Sequence, residues 1–442
     1  MLVSVSWVMA RTRLYPPSVD PAFPRLPPTP PGWRHATFRD VLEVVERPIR
    51  LEPEAHYRLV TAKRGRGGIT LRSELLGREI LTKTQFSTRA GDFLISRRQI
   101  IHGACGVVPH ELDGAVVSNE YSTLRTRPEL LMDFLQHYTH TPYFQRTCFH
   151  SSHGVDVEKM LFKIDEWLSR ELDLPPIAEQ KQIAAILASV DDAIKATRAV
   201  IDQLQVVKKA MMADLLTRGL PKRHTRFKQM EIGQVPEGWE VSTLEQVVDS
   251  TTTITYGIVQ AGPHVENGIP YIRTGDVKPT GIVAIEKLGR TSPEIASKFE
   301  RSSVRSGDLV LCIRASVGAV AMVTQELSGA NLTQGTARIA PGPRVLGRFL
   351  LWVLRSEGVQ GWINLQCKGS TFREITLGRL RQVPIPVPSI EEQSEIAGAL
   401  DTIDQRIAIE AASSASLFEL KSALLSVLLT GEVRVKPDPE PT

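Results

Sequence analysis

Two long stretches decide the fold of this 442-residue chain: Leu174–Thr217 (LPPIAEQKQIAAILASVDDAIKATRAVIDQLQVVKKAMMADLLT) and Val387–Thr430 (VPSIEEQSEIAGALDTIDQRIAIEAASSASLFELKSALLSVLLT). They align without a gap at a constant offset of 213 positions, and 16 of the 44 aligned pairs are identical. A gapless match of this quality indicates a duplication, so we expect an internal repeat. Pro175 and Pro388 precede the apolar periodicity, as is typical of the start of a helix.

Apolar residues recur in steps of four and three along both stretches, and this period of 3.5 residues predicts a coiled-coil seam. The seam consists of Ile183, Leu187, Val190, Ile194, Ile201 and Leu204 in the first stretch and of Ile396, Leu400, Ile403, Ile407, Leu417 and Leu424 in the second. Each helix, at about 40 residues, is about 60 Å long, and the two helices pair most simply with each other. The alternative is a pair of core helices in one bundle. The polar seam residues Lys208, Glu410 and Lys421 are expected to fix the register or to face a partner.

The regions before and between these helices also repeat, more loosely. Gly32-Trp33 opens the first region as Gly238-Trp239 opens the second, and Gly91–Ile95 (GDFLI) resembles Gly307–Leu311 (GDLVL). Ile269–Val277 and Gly307–Ile313 are predicted to be short strands bounded by turns. We therefore predict a mixed α/β fold in which two globular domains alternate with two long helices that pair with each other, with an internal repeat.

The predicted boundaries follow from this repeat. They are a Pro-rich N-terminal segment (1–30), a first domain (31–173), a central long helix (174–220), a basic linker (221–234), a second domain (235–386), a distal long helix (387–430) and a C-terminal tail (431–442). Pro16–Pro31 holds eight prolines and is expected to be an extended strap.

Composition narrows the class of protein. The chain is 42% hydrophobic and 23% charged, which is typical of globular proteins. No run of about 18 apolar residues occurs, so we expect no membrane span, and the apolar Met1–Ala10 precedes its arginines, which is the wrong order for a secretory signal. Four scattered cysteines suit a reducing cytoplasm. The net charge of +4 is compatible with a polyanionic partner.

Sequence signatures of catalysis are missing. Gly65-Arg66-Gly67-Gly68 lacks the later glycine and the downstream acidic residue of a dinucleotide loop, and no Walker loop or Asn/Asp-Pro-Pro-Tyr-like stretch occurs. Glu266 and Asp276-Val277-Lys278 only loosely mimic a nuclease set. We therefore predict a non-catalytic chain, in which no residue is catalytic.

A group of histidines and a cysteine has a spacing that zinc tolerates: His137, His140, Cys148, His150 and His153. The second domain has no counterpart, and a polar loop explains the same residues. We therefore expect no metal site.

Several phrases carry a resemblance to a known family: Pro236-Glu237-Gly238-Trp239, Tyr271–Asp276 (YIRTGD), Pro384–Gln393 (PIPVPSIEEQ), Leu174–Gln180 (LPPIAEQ) and Gly103–Asn119. The chain resembles the specificity subunit of a type I restriction–modification system from about residue 25 to 435. This resemblance implies two α/β target-recognition domains that alternate with two long helices, paired as an antiparallel coiled coil with pseudo-twofold symmetry. The same resemblance implies that the chain has no cofactor of its own. It also implies two modification (adenine methyltransferase) subunits and restriction/translocase subunits as partners, which would use S-adenosylmethionine, ATP and Mg.

The expected target is double-stranded DNA, one half-site per recognition domain. Arg and Gln pair bidentately with G and A in the major groove, although any single arginine is as easily a solvated surface charge. The DNA-binding candidates are Lys63, Arg64, Arg66, Arg97, Arg98, Gln99, Asn119, Arg273, Asp276, Arg314, Lys368 and Arg373. Glu179-Gln180 and Glu392-Gln393 repeat one surface twice and are the partner-binding candidates.

Three other interpretations compete with this one. One is a specificity subunit of an orphan methyltransferase without restriction activity. The second is a fused enzyme–specificity polypeptide, for which the chain leaves no room. The third is a purely structural coiled-coil scaffold, which would not need two large globular domains.

Overall fold

The structure is a computed structural model that describes residues 15–82, 84–369 and 373–436. The chain divides into two compact units, Met1–Thr197 with Ser413–Thr442, and Arg198–Ala412. The predicted opening segment Met1–Ala10 and the last six residues of the predicted tail lie outside the described residues. Both units mix short strands with helices, which agrees with the predicted mixed α/β class.

Two long helices dominate the secondary structure. The central helix is Ile177–Arg218, with 42 residues, and the distal helix is Ile390–Leu428, with 39 residues. Each begins two residues after its predicted proline, because proline supplies no amide for an earlier helical turn. The distal helix is long and apolar enough to cross a membrane by length and composition alone. A single helix of this kind is weak evidence for a membrane span, because a core helix meets the same criteria.

The first unit contains two larger sheets. A five-stranded sheet has the order Pro48–Ile49, Gln85–Ser87, Val116–Ser118, His56–Ala62 and Ile69–Leu76, and a four-stranded sheet has the order Leu42–Val44, Tyr121–Thr126, Phe93–Ser96 and Cys105–Val107. Two-stranded pairs are Arg34–Thr37 with Glu171–Leu174 and Ser152–His153 with Leu161–Phe162. Its shorter helices are Phe38–Val41, Met132–Tyr138, Pro142–His150 and Ile164–Leu168.

The core of the first unit joins the domain to the ends of both long helices. Phe38 stacks on Trp167 with ring centroids 4.2 Å apart, and both side chains are fully buried. Ile183 of the central helix and Leu428 of the distal helix belong to the same apolar cluster. The domain is therefore packed directly onto helix.

The second unit repeats this plan with fewer long strands. A four-stranded sheet has the order Thr255–Tyr256, Thr336–Ile339, Leu309–Cys312 and Val320–Met322, and a three-stranded sheet has the order Gly289–Thr291, Ile269–Ile272 and Asn331–Leu332. Two-stranded pairs are Phe227–Met230 with Gly233–Pro236, Glu240–Thr243 with Pro384–Val387, and Val277–Lys278 with Gly281–Ile282. Its shorter helices are Leu244–Val247, Pro293–Ser297, Gly347–Arg355, Glu357–Gln366 and Leu377–Arg381.

The predicted strands at Ile269–Val277 and Gly307–Ile313 are confirmed in their central parts, at Ile269–Ile272 and Leu309–Cys312. The segment predicted to be a basic linker, 221–234, instead continues into the hairpin of Phe227–Met230 and Gly233–Pro236. The backbone amides and carbonyls of this segment pair across the hairpin. A strand therefore forms although the composition is polar and rich in turn residues.

The Pro-rich strap contains no helix or strand between residues 15 and 31, as expected. It is nevertheless fixed to the first domain. The Ser18 hydroxyl lies 2.8 Å from Nδ1 of His102, Arg146 donates to Asp20 at 2.8 Å, and Thr29 donates to Asp173 at 2.9 Å.

The predicted seam positions are all buried or half-buried, in both helices. The four positions nearest the helix starts, Ile183, Leu187, Ile396 and Leu400, are fully buried in domain cores. Here the sequence prediction needs correction, because these four side chains pack in the cores of the globular domains. A 3.5-residue period does not distinguish the two environments.

Candidate nucleic-acid interface

Each domain is fastened to a helix through a tryptophan and a glutamate. In the first unit the Nε1–H of Trp33 donates to Oε2 of Glu179 at 3.2 Å. Arg434 donates to both oxygens of the same carboxylate, at 2.8 and 2.7 Å. Burial alone would raise the pKa of Glu179, but the bonds from Arg434 and from the Val435 amide outweigh it and hold that pKa below its usual value.

The second unit has the same arrangement, with a histidine in the place of the arginine. The Nε1–H of Trp239 donates to Oε2 of Glu392 at 3.1 Å, and Nε2 of His224 lies 2.8 Å from Oε1. The Leu220 amide also donates to Oε1 of Glu392, at 3.1 Å. A buried carboxylate thus receives an indole and a second side-chain donor in each unit.

The neighbouring glutamines satisfy backbone groups. Oε1 of Gln180 accepts from the Leu131 amide at 2.9 Å, and Oε1 of Gln393 accepts from the Leu346 amide at 2.8 Å. Their Nε2 groups donate to carbonyls, of Glu129 and Arg344 among others.

The four predicted partner-binding residues, Glu179, Gln180, Glu392 and Gln393, are at most 3% exposed. Their repetition in the sequence has a structural reason, because the Trp–Glu contact between domain and helix occurs twice. We call Trp33–Glu179 and Trp239–Glu392 the carboxylate anchors. Within their units, these four side chains are buried and do not form an exposed docking surface.

Two ion pairs join the long helices inside the units. Nζ of Lys421 lies 2.5 Å from Oδ1 of Asp191 in the first unit, and Lys208 pairs with Asp404 in the second. Both pairs join residues that are identical in the repeat. The polar seam residues Lys208 and Lys421 therefore have a definite partner on the other helix, whereas Glu410 pairs along its own helix with Arg406.

In the first domain, the predicted DNA-binding residues come together around one loop. Nε of Arg64 donates to Oε1 of Gln99 at 2.8 Å, and the backbone amide of Arg66 donates to the carbonyl of Gly103 at 2.8 Å. Lys63 and Arg64 are exposed. Residues 63–68 and 97–99, far apart in sequence, thus lie side by side, and Arg64 also pairs with Glu158 at 2.8 Å.

Arg66 differs from the exposed Lys63 and Arg64, because its side chain is half-buried and hydrogen-bonded within the domain. Its guanidinium donates to the Thr139 carbonyl and to Gln145, and burial lowers its pKa. Its backbone is left-handed, with φ of 60°. Arg66 therefore holds the loop against the rest of the domain. This structural role differs from the direct contact with DNA that its residue type predicted.

Arg97, Arg98 and Asn119 meet at the ends of two paired strands. Arg97 donates to the Asn119 carbonyl at 3.4 Å, and Nε of Arg98 donates to Glu120 at 2.6 Å. The Nε atom of Arg97 is buried and has no partner within the described ranges. Glu120 carries no sequence signal of its own, because its importance arises only from strand pairing.

In the second domain, Arg314 lies at the equivalent position, just after the end of a paired strand. We call this position in each domain the corner. Nη1 of Arg314 donates to Gln334 at 3.0 Å and its Nη2 donates to Glu374 at 3.1 Å. Backbone pairing between Lys368 and Glu374 brings a further predicted residue to the same place. Gln334 and Glu374 were not predicted.

Arg273, Asp276 and Arg373 are more constrained than the prediction implied. Asp276 is buried and accepts from Nε and Nη2 of Arg273, at 3.0 and 3.1 Å, and from the Arg273 amide at 2.9 Å. The pair stabilises a turn, which is the physical reason for the Arg-x-x-Asp phrase. Arg373 is exposed and donates to Asn364 at 2.8 Å.

The histidines and cysteine with zinc-like spacing have separate surroundings. Cys148 is fully buried in the apolar core, His150 contacts the Pro21 and Ala22 carbonyls, and His153 pairs with Glu166 at 2.7 Å. Across residues 15–82, 84–369 and 373–436, no group of three His, Cys, Asp or Glu side chains is arranged to hold a metal ion.

Comparison with known proteins shows which proteins this chain is similar to. Residues 236–418 match the family model "Type I restriction modification DNA specificity domain". The MjaVIII specificity subunit of Methanocaldococcus jannaschii is 31% identical over 291 residues, 63% of this chain and 65% of that protein. The EcoBI specificity subunit of Escherichia coli is 30% identical over 243 residues, 52% of this chain and 51% of that protein. The chain thus spans less than two thirds of the length of these relatives.

Solved structures share the fold. A chain from the work "Structural basis underlying complex assembly and conformational transition of the type I R-M system" matches with a TM-score of 0.58 and 21% identity, over 92% of this chain and 100% of that chain. The S subunit of a type I system from M. genitalium matches with a TM-score of 0.55 and 14% identity, over 92% of this chain and 99% of the other. Residues 236–418 thus match a type I restriction modification DNA specificity domain, and the chain is similar to the specificity subunits of type I restriction–modification systems.

Proposed function

We propose that this chain is the DNA-recognition subunit of a type I restriction–modification complex and reads a bipartite, asymmetric duplex target. The observation that carries the proposal is the presence of two domains of the same plan, each with an arginine-bearing corner where paired strands end. The two corners differ in residue type, Arg98 with Glu120 and Arg314 with Gln334, so each domain reads a different half-site.

The long helices act as the spacer between the half-sites. We propose that they pair as an antiparallel coiled coil, supported by the burial of the seam residues Val190 and Ile194 and by the Lys421–Asp191 and Lys208–Asp404 ion pairs. Recognition helices of paired DNA-binding modules reach one face of a duplex when half-sites lie about one turn apart, about 34–36 Å. A rigid spacer therefore fixes the number of base pairs between the half-sites.

The chain acts in the cytoplasm without catalysis of its own. Two modification subunits dock on the duplicated framework and methylate adenine with S-adenosylmethionine, and restriction/translocase subunits join them with ATP and Mg. The relative solved in a study of type I complex assembly supports this assignment to an assembly.

Methylome sequencing tests the proposal. A host strain that lacks adenine methylation receives this gene with the gene of its modification subunit, and the expected result is methylation at one two-part motif with a fixed spacer. A host given the modification gene alone is the control. Methylation at a single continuous motif would contradict the proposal, and phage restriction in the presence of the motor subunit separates a full system from an orphan methyltransferase.

A further inference from the structure

The corner around Arg314 in the second domain presents an ordered set of hydrogen-bonding groups. An arginine only donates, so the Gln334 carbonyl oxygen, 3.0 Å from Nη1, has to face Arg314 and the Gln334 amide nitrogen has to face away. That nitrogen has no partner in the part of the chain that the structure describes. Arg314 and Gln334 together therefore offer donors outward.

We propose that Gln334 is a specificity-determining residue and that the Arg314–Gln334–Glu374 corner reads a G·C base pair in the major groove. This proposal rests on the proposed function as a DNA-recognition subunit. Guanine presents two acceptors there, N7 and O6, whereas the other bases present at least one donor or a methyl group. Donors from Arg314 and Gln334 fit guanine, and the Glu374 carboxylate fits the N4 amino donor of the paired cytosine.

Glu374 also argues against a phosphate contact. Its carboxylate accepts from Nη2 of Arg314 at 3.1 Å, and the two side chains are 43% and 40% exposed, for Arg314 and Glu374 respectively. A carboxylate beside the arginine repels a phosphate and neutralises the charge that would attract one. A base edge carries no net charge, so the same carboxylate is compatible with base reading.

The corner is held rigid. Nε of Arg314 is buried and has no partner within the described residues, so only the end of the guanidinium reaches the surface. Ala315, directly after it, is left-handed with φ of 59°, a conformation that an alanine adopts only when its surroundings impose it. Next to Gln334, a Cβ on Gly335 would lie 2.8 Å from Cγ2 of Thr274, so this backbone is also closely packed.

The test is Gln334→Glu, which keeps the size of the side chain and an acceptor for Arg314 while removing both donors. Full-length chain with its modification subunit is incubated with a pool of duplexes randomised at both half-sites, and the bound fraction is sequenced. For the wild type we expect guanine at one position of one half-site. For Gln334→Glu we expect the preference for that guanine to fall about 5- to 150-fold, the loss typical of one base contact.

The matched control is Gln382→Ala, which removes another glutamine that accepts from an arginine, Arg379, at 3.3 Å. It should leave the motif unchanged. The remaining positions of the same half-site report folding within the same experiment, because a misfolded second domain loses the whole half-site and not one position of it. An unchanged guanine preference in Gln334→Glu would overturn the role of Gln334, whereas a wild-type complex that enriches no motif would overturn the proposed function itself.

Salt dependence separates base reading from phosphate binding. For Arg314→Ala we expect weaker discrimination at the guanine position with an unchanged slope of log affinity against log salt. The exposed Lys368 supplies the comparison, because a lost phosphate contact lowers that slope by about one. A slope for Arg314→Ala that drops by about one, with the base preference intact, would make Arg314 a backbone contact and overturn the proposal.

Discussion

At the scale of single residues, the carboxylate anchors are the most informative feature. Glu179 is 3% exposed and its charge is balanced by Arg434, which is 39% exposed. Replacing Arg434 by Ala leaves a buried carboxylate with only the Trp33 indole and the Val435 amide as donors. We expect the free energy of unfolding of the first unit to fall by about 1–2 kcal/mol, measured by urea denaturation.

The control for this experiment is Arg223→Ala. Arg223 pairs with Glu395 at 3.4 Å and both side chains are about half exposed, so its loss should have little effect on stability because exposed ion pairs contribute little. Equal losses of unfolding free energy in Arg434→Ala and Arg223→Ala would show that the Arg434–Glu179 contact contributes no more to stability than an exposed ion pair.

His140 gives the first unit a pH dependence. Burial and the nearby Arg66 guanidinium lower the pKa of His140 from 6.5 to about 4. Between these values the unfolded chain binds a proton that the folded chain excludes, so stability is fully present above pH 6.5 and falls as the pH drops towards 4, by roughly 3 kcal/mol. His102 and His137, whose pKa values burial also lowers, act in the same direction.

Replacing His140 by Gln should flatten the curve of unfolding free energy against pH in this window. The exposed His153 pairs with Glu166, and His153→Gln serves as the control that retains the buried group. Identical pH profiles for wild type and His140→Gln would rule out the contribution of His140.

Residue type predicts some of the candidate site and misses the rest for a physical reason. Arg98, Gln99 and Arg314 were identified because their side chains suit base edges. Glu120, Gln334 and Glu374 were not, because these three side chains gain their role from the arginine that the fold places beside each of them. Arg434 was missed in the same way, since 255 positions separate it from Glu179 in the sequence.

At the scale of elements, the sequence predicts the helices well and their surroundings less well. The duplicated stretch and its prolines place both helix starts within three residues, because a repeat and a missing amide are local signals. The period cannot show that Ile183 and Ile396 lie in domain cores. Aspartate at either position is therefore expected to unfold its domain, so loss of partner binding there would say nothing about a docking surface.

The proposed spacer role predicts the result of shortening both helices by one heptad. Deleting residues 198–204 and 411–417 removes seven residues from each helix at equivalent places and leaves Lys421–Asp191 and Lys208–Asp404 intact as pairs. Each helix shortens by about 10 Å. We expect the methylated motif to keep both half-sites and to change only its spacer length, as read by methylome sequencing.

Deleting the heptad from the central helix alone is the comparison, because it leaves the two helices unequal and the ion pairs out of register. Stability should then fall along with activity. A new half-site sequence after the paired deletion would contradict the spacer role.

At the scale of the whole molecule, the duplication predicts the composition of the complex. Two units built on the same plan offer equivalent surfaces, and whatever partner fits one fits the other. We expect one copy of this chain to bind two modification subunits, measured by native mass spectrometry at a partner excess. A complex that stays at one partner per chain at saturation would contradict this prediction.

The border position of the anchors has a genetic consequence. Trp33 and Glu179 stand at the two ends of the first domain, and Trp239 and Glu392 at the two ends of the second. A crossover between related genes inside these borders exchanges all the candidate DNA-binding residues of one domain while its Trp–Glu contact is inherited unchanged. On the proposed function, a lineage can in this way acquire a new target sequence in one recombination event, without a new pair of helices to carry it.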